Sequence, residues 1–572
     1  MNAESLLAHY GHIADAPDAI ARLRRFILDL SVRGKLVPQD PNDEPASELL
    51  KRIATEKARL VKAGKIGKLP SLEPIHDAET PHALPPSWAW VRVGDIFDYD
   101  AGIKRDPKEL SQERWLLELE DIEKDTSRIV KRVRVSDRDS QSTKSEFEIG
   151  DILYGKLRPY LNKVVVADEW GYSTTEIVAI RPFLKLCSEY CALAFRRPDF
   201  VSYVERLGRG TKMPRLRTPD AIVAMFPLPP LAEQRRIVTK VDELMALCDR
   251  LEAARISREE ARDRFAAATF ARLNARDPEA FQRDARFALH ALAALTTRPD
   301  QIKAIRQTIL NLAVRGKLVP QDESNEPASE LLTRIAKEKA QLIKEGKVKR
   351  QDPLTEVNLD QSPFELPPGW GWARFPELGT FGRGKSKHRP RNDPALFDGG
   401  EHLLIQTGDV ARSRGIIETY TGKYNDFGLS QSLKWPKGTL CITIAANIAD
   451  SGILSFDACF PDSVVGFIPA SMFGNARYFE YFVRTAKANL LEFAPATAQK
   501  NINLEILTQV LIPLPPLAEQ QQIVAKVDKL MALCDRLEAS LEITAATRRR
   551  LLEALLAEVL APAEDRELEA AE

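Results

Sequence analysis

The feature that most constrains this chain is that it repeats itself. Val32-Arg33-Gly34-Lys35-Leu36-Val37-Pro38-Gln39-Asp40 returns unchanged at Val314 to Asp322, and Glu44-Pro45-Ala46-Ser47-Glu48-Leu49-Leu50 returns at Glu326 to Leu332, both 282 residues later. Leu84-Pro85-Pro86-Ser87-Trp88 faces Leu366-Pro367-Pro368-Gly369-Trp370 at the same spacing. Further on, Pro227-Leu228-Pro229-Pro230-Leu231-Ala232-Glu233-Gln234 returns at Pro513 to Gln520, and Leu244 to Ala253 returns at Leu530 to Ala539, now 286 residues apart. Self-similarity on this scale decides the architecture before any local pattern does. The flanks are kept, while the roughly 140 residues between Trp88 and Pro227, and between Trp370 and Pro513, differ in sequence and in length. One scaffold presents two different inserts.

The flanks have helical periodicity. Ile237, Val241, Leu244, Cys248 and Leu251 recur at alternating spacings of four and three, as do Ile523, Val527, Leu530, Cys534, Leu537 and Leu541, resuming at Leu551 and Leu555. That is a heptad seam. No Gly or Pro interrupts some 40 residues after Ala232 and after Ala518, so each helix has room to extend about 60 Å at 1.5 Å per residue. Shorter helices are expected from Ile20 to Ser31 and Ile302 to Ala313, stopped by left-handed caps at Gly34 and Gly316, then from about Ala46 to Ala63 and Ala328 to Lys344. The inserts instead carry short β-rich runs between Gly and Pro turns: Asp151 to Gly155, Lys163 to Ala167 and Glu176 to Ile180 in the first, Gly438 to Ile444 and Ser463 to Ile468 in the second. The expected class is α+β, with two mixed α/β domains separated by long antiparallel coiled-coil helices in a pseudo-twofold repeat. The tail after Pro562 is acidic and Ala-rich, and is expected to fray.

Composition narrows the function. The 572 residues hold 82 Lys and Arg against 82 Asp and Glu, which argues against holding nucleic acid by bulk positive charge, because each neutralised phosphate needs a cation facing it. Any polyanion site is therefore a local patch. No apolar run reaches membrane-spanning length and no secretion signal precedes the first helix, so a cytoplasmic protein without membrane contact is expected. Six cysteines are too few for a disulfide framework, and Cys187 and Cys191 form a lone CxxxC without a second ligand pair, so no metal site is expected.

One motif formally matches a catalytic pattern. Gly379-Thr380-Phe381-Gly382-Arg383-Gly384-Lys385-Ser386 fits the phosphate loop of nucleotide-hydrolysing enzymes, but Pro390 and Pro394 follow too soon for the helix that such a loop needs. The same stretch offers five cations without an intervening acid: Arg383, Lys385, Lys387, Arg389 and Arg391. It reads as a loop laid on a phosphate backbone, the alternative being a solvated basic loop. The first insert has its own cations in Arg206, Arg209, Lys212, Arg215 and Arg217, and a second group in Lys156, Arg158, Tyr160 and Lys163. Asn447 joins the candidates in the second insert. Aligned at the 286 spacing, Thr211-Lys212-Met213-Pro214-Arg215-Leu216-Arg217 faces Thr497-Ala498-Gln499-Lys500-Asn501-Ile502-Asn503. The framework Thr persists while Arg215 and Arg217 become Asn501 and Asn503. Arg suits guanine and Asn or Gln suits adenine, so two related readers of different DNA sequences would show such a switch; equally, Asn503 is placed to cap a helix starting near Leu504. No Asn/Asp-Pro-Pro-aromatic, H-E-x-x-H, G-x-S-x-G or helicase-like acidic motif is present, and Phe381 to Gly384 is a weak echo of a methyl-donor loop. A binding protein is favoured over an enzyme, with a coiled-coil scaffold as the alternative.

The duplicated Val-Arg-Gly-Lys-Leu-Val-Pro-Gln-Asp, the duplicated Pro-Leu-Pro-Pro-Leu-Ala-Glu-Gln with the helix behind it, and Gly155-Lys156-Leu157-Arg158-Pro159-Tyr160-Leu161 resemble the specificity subunit of bacterial type I restriction-modification enzymes over almost the whole chain. The resemblance implies two target recognition domains, residues 84–228 and 366–514, each reading half of a split DNA target. It implies conserved helical spacers at residues 1–83, 229–365 and 515–561, with the N-terminal helix pairing with the C-terminal one to close a ring, and a tail at 562–572. It also implies partners: double-stranded DNA, two methylation subunits that carry S-adenosylmethionine, and motor/nuclease subunits that use ATP and Mg. This chain would hold no cofactor and no catalytic residue.

Overall fold

The computed structural model describes residues 15–16, 18–67, 70–138, 141–207, 212–275, 278–346, 354, 362–444, 449–487 and 504–560. These fall into two compact units, residues 1–258 with 545–572 and residues 259–544.

In the first unit the helix Ala19–Val32 ends where expected. Gly34 turns left-handed at φ +67°, which lets the Lys35 amide return to the Leu30 carbonyl at 3.1 Å and close the last turn. A Cβ at Gly34 would also lie 2.3 Å from Pro85 Cγ, so the repeated Gly is required twice, by its backbone and by close packing of the Leu-Pro-Pro-Ser-Trp segment. The second unit does the same: Gly316 sits at φ +68°, Lys317 N–H reaches Leu312 O at 2.9 Å, and Pro367 Cγ would be 2.4 Å from an added Cβ.

The repeated motifs, far apart in sequence, converge on one hydrogen-bonded node in each unit. Glu233, 1% exposed, accepts from Trp88 Nε1 at 2.9 Å and from Gln39 Nε2 at 2.6 Å. Glu519 accepts from Trp370 Nε1 at 3.1 Å and Gln321 Nε2 at 2.8 Å. Burial pushes both carboxyls upward while the two donors pull them back. The neighbouring glutamines close the entry turn, Gln234 Nε2 donating to Pro229 O at 3.1 Å and Gln520 Nε2 to Pro515 O at 2.9 Å. Arg24 pairs with Asp249 and Glu252 at 2.7 and 2.6 Å, and Arg306 with Asp535 and Glu538 at 2.6 and 2.8 Å. Within the nine-residue repeat, Gly34 and Gln39 thus have fixed contacts, and the same contacts form around Gly316 and Gln321 in the other unit.

Each insert leaves and re-enters this scaffold through a two-stranded antiparallel neck. Ala89–Arg92 pairs with Met225–Leu228, and Gly371–Ala373 with Ile512–Leu514. Tyr190 Oη donates to Pro227 O at 2.9 Å and Tyr478 Oη to Pro513 O at 2.5 Å, fastening the insert's helix to the outgoing strand.

Above the neck the first insert has two four-stranded sheets. One orders Phe97–Tyr99, Ile177–Pro182, Ile152–Gly155 and Val164–Val166; the other orders Ile103–Arg105, Lys144–Phe147, Gly171–Thr174 and Trp115–Leu117. The second insert has a five-stranded sheet, Gly379–Arg383, Val464–Pro469, Leu440–Thr443, Ser451–Leu454 and Gly415–Ile417, and a four-stranded one. The β-rich runs read from sequence all lie in these sheets. The cross-sheet order, with parallel pairing of Trp115–Leu117 to Gly171–Thr174, was not read.

The long helices are Leu231–Asn274 and Leu517–Leu560, 44 residues each, or about 66 Å. Ile237, Val241 and Cys248 are buried with Leu244 and Leu251 beside them, and their cluster includes Ile20, Ile27, Val32, Leu49 and the base of the insert, Val91 and Phe226. Ile523, Val527 and Cys534 do likewise with Ile302, Ile309 and Val314, flanked by Leu530, Leu537 and Leu541. Within each unit the seam therefore packs on the short helices and the insert's foot. Farther along, Leu552, Leu555 and Leu556 pack on Ala16 and Ala19, joining the C-terminal helix to the N-terminal one as the resemblance implied. Two helices in the central region, Pro278–His290 and Leu292–Leu295, were not anticipated. The tail at 562–572 lies outside the described residues.

Candidate nucleic-acid interface

In the first insert the strand Ile152–Gly155 runs into a loop built to hold its side chains outward. Arg158 sits at φ +50° and Asn162 at φ +54°, an uncommon left-handed backbone for such residues, on either side of the single turn Pro159–Leu161. Pro159 is buried, and Ser127 Oγ donates to Asn162 O at 2.8 Å. Arg158 and Tyr160 are exposed and Lys156 is half-buried.

The second basic segment is laid directly on this loop. Leu157 and Arg215 form an antiparallel bridge, Arg158 N–H donates to Pro214 O at 2.8 Å and Leu216 N–H to Lys156 O at 3.0 Å. Two groups read separately from the sequence thus form one face, with Lys156, Arg158, Tyr160, Lys212, Arg215 and Arg217. Lys163 leaves it: its Nζ donates to Leu119 O at 2.6 Å, and burial lowers its pKa, so it props the neighbouring turn instead of facing solvent. Arg217 is 79% exposed and pairs loosely with Asp220 at 3.2 Å. Arg215 is gripped by Glu176, an acid that the sequence offers only as the first residue of the run Glu176 to Ile180 and that the structure places in the turn before that strand. Arg209 and Thr211 lie outside the described residues.

In the second insert Gly379–Arg383 is a strand paired with Val464–Pro469, and Lys385 follows it in a loop with no helix beginning there. The phosphate-loop geometry is absent from this stretch. Gly384 lets the loop cross the Phe460 and Pro461 carbonyls, which an added Cβ would approach to 2.3 and 2.4 Å. Lys385 N–H then donates to Phe460 O at 3.0 Å and Lys387 N–H to Gln431 O at 3.1 Å. Arg383 and Lys387 are exposed and Lys385 is half-buried. The other two cations are occupied: Arg389 donates to Ser386 O and His388 O, and Arg391 pairs with Asp462 at 2.6 Å. His388 binds Asp393 at 2.7 Å. One distant acid, Asp462, and two local backbone carbonyls thus trim a run of five cations to three available side chains. Asn447, Thr497, Gln499, Lys500, Asn501 and Asn503 lie outside the described residues.

Among the described residues no helix is long and apolar enough to cross a membrane.

Residues 375–545 match the family model described as the type I restriction modification DNA specificity domain. Over 94% of its length the chain is 32% identical to the type I restriction enzyme EcoAI specificity subunit of Escherichia coli, covering 93% of that protein. It belongs to the type I restriction enzyme specificity subunits. The EcoEI specificity subunit of the same species is 33% identical with the same coverage. A solved chain reported under complex assembly and conformational transition of the type I R-M system shares the fold of this chain, with TM-score 0.51 at 21% identity, covering 84% of this chain and 99% of that one. In this specificity subunit the flanking motifs return at spacings of 282 and 286 residues, while the exposed cations of the two inserts differ.

Proposed function

We propose that this specificity subunit is the non-catalytic DNA reader of a type I restriction-modification complex, in which each insert takes one half of a split target and the helices carry the partner subunits. The observation that carries this reading is the face on the first insert, where two basic segments some fifty residues apart in sequence are laid side by side on a strained, outward-facing loop. Lys156, Arg158, Lys212 and Arg217 suit phosphates; Tyr160 and Arg215 suit base edges. Arg383, Lys385 and Lys387 take the phosphate role on the second insert. S-adenosylmethionine, ATP and Mg belong to the methylation and motor/nuclease partners.

The test is to sequence modified adenines in DNA from cells expressing this chain with its methylation subunits. A two-part motif that disappears when this chain is omitted is expected. Modification without a motif, or labelled methyl transfer by the isolated chain, would overturn the proposal; assembly of the partners with no effect on DNA would leave a scaffold.

A further inference from the structure

An acid stands in the middle of the first insert's cationic face. Glu176 occupies the turn between Gly171–Thr174 and Ile177–Pro182, and its carbonyl accepts the Lys156 amide at 2.9 Å. Its carboxylate holds Arg215 in a forked pair: Nε to Oε2 at 3.0 Å and to Oε1 at 3.2 Å, and Nη2 to Oε1 at 3.0 Å. The side chains are 48% and 29% exposed.

Two considerations show what this pair is for. Exposed ion pairs add little to stability, and the backbone bonds between residues 156–158 and 214–216 already hold the two segments together. The pair is not needed for the fold. A carboxylate on a phosphate-facing surface also weakens attraction for a polyanion. It serves that surface best when it orients a donor. A guanidinium has five N–H donors in a plane. With Nε and one side of Nη2 on Glu176, the Nη1–Nη2 edge is left facing away from the carboxylate, and among the described residues Nη1 has no partner. That edge is a pair of parallel donors, matched to the N7 and O6 acceptors of guanine in the major groove. A phosphate contact would be served equally by a flexible Lys and needs no such aiming.

We infer that Arg215 reads a guanine in one half of the target and that Glu176 is the positioning residue that aims it. The inference rests on the DNA-reading function proposed above. Its test uses the full-length chain, with its methylation subunits, in cells free of other adenine methylation, comparing wild type with R215A, R215K and E176Q. The wild-type motif should contain an invariant guanine in one half. R215A and R215K should both lower discrimination at that position from more than about tenfold to less than about threefold, leaving the other half unchanged. E176Q, which keeps one acceptor oxygen, should relax the same position by less.

Retention of the full motif by R215K would make Arg215 a phosphate contact and overturn the inference, as would an R215A complex that modifies every sequence more weakly with its motif intact. If R215A fails to assemble, R215K and E176Q, which preserve side-chain bulk, decide the matter by the same criteria. Failure of the underlying reading looks different: wild type itself would then give no motif.

Discussion

At the scale of the residue, glycines at helix ends show how geometry and packing separate. Gly34 and Gly64 both stop a helix at nearly the same φ, +67° and +68°, yet an added Cβ meets Pro85 at 2.3 Å in one and nothing within 4 Å in the other. Gly64→Ala should lower stability by about 1–2 kcal/mol, the cost of a left-handed L-residue. Gly34→Ala carries the same cost and also pushes the Leu-Pro-Pro-Ser-Trp segment off its seat, so its loss should be at least twice as large in thermal melts of the two variants. Equal losses would mean that the scaffold yields freely around Pro85. The αL caps were readable because Gly ends the helical periodicity. Lys163 shows where reading stopped: nothing local says that its amine turns to Leu119 O, a choice made by the fold across 44 residues.

Elements carry the clearest sequence record where the two copies agree. Trp88, Gln39 and Glu233 meet through three separate segments, and the matching trio in the other unit shows that the repeated letters mark a buried polar node, in which each partner is costly to remove. Trp88→Phe and Trp370→Phe should each cost about 1–3 kcal/mol by leaving a buried carboxylate short of a donor, with equal melting shifts in the two units; a silent substitution at either would remove that node from the scaffold's stability. The long helices were legible from their heptads, the sheets only as isolated runs, since strand order depends on contacts that no single run encodes. The short helix Pro278–His290 has no repeated sequence to mark it, although Asp277-Pro278 at its start is a capping residue type followed by a first-turn proline. The helix Leu231–Asn274 is continuous for 44 residues, and deleting Leu244 to Arg250 would shorten it by about two turns. If helix length sets the unread spacer of the target, adenine sequencing with that variant should show an altered spacer or no modification, with both half-site sequences retained wherever modification survives. An unchanged spacer would refute that role.

For the whole molecule, the two copies differ in chemistry at places their shared plan leaves open, and pH exposes two of them with opposite sign. His82 packs edge-on against Trp90 at 5.0 Å, where the other copy puts Phe364 against Trp372 at 5.1 Å. Burial, with Arg33 nearby, lowers the His82 pKa from 6.5 to about 4. The unfolded chain then binds the extra proton between those values, so this contribution is present above pH 6.5 and is lost as pH falls toward 4. Glu480 is 0% exposed and burial raises it from 4.5 to about 7, Arg484 and Arg477 pulling against. Its contribution is present below pH 4.5 and is lost as pH rises through 7. Relative to wild type, His82→Phe should raise the melting temperature at pH 5 and Glu480→Gln should raise it at pH 8, each with little effect at the other pH. Gains that grow in the same direction of pH in both variants would contradict the assignment. Neither group was marked by the sequence, because an aromatic slot filled by His and a carboxylate sealed in a core both depend on what surrounds them. Net neutrality looks different at this scale too: positive charge is displayed on loops such as Arg383 to Lys387 and largely matched elsewhere.

The paired necks have a consequence for how such a chain can change. Strands hydrogen-bonded as Ala89–Arg92 and Met225–Leu228 are lie about 4.8 Å apart, so from the scaffold's side an insert is a loop whose ends are already joined. Loop closure grows only with the logarithm of length. The four-residue difference between the two inserts therefore alters closure entropy by a few hundredths of a kcal/mol. A different insert of similar size, ending in the same two short strands, would meet almost no entropic resistance from the rest of the molecule, which makes each half an exchangeable cassette.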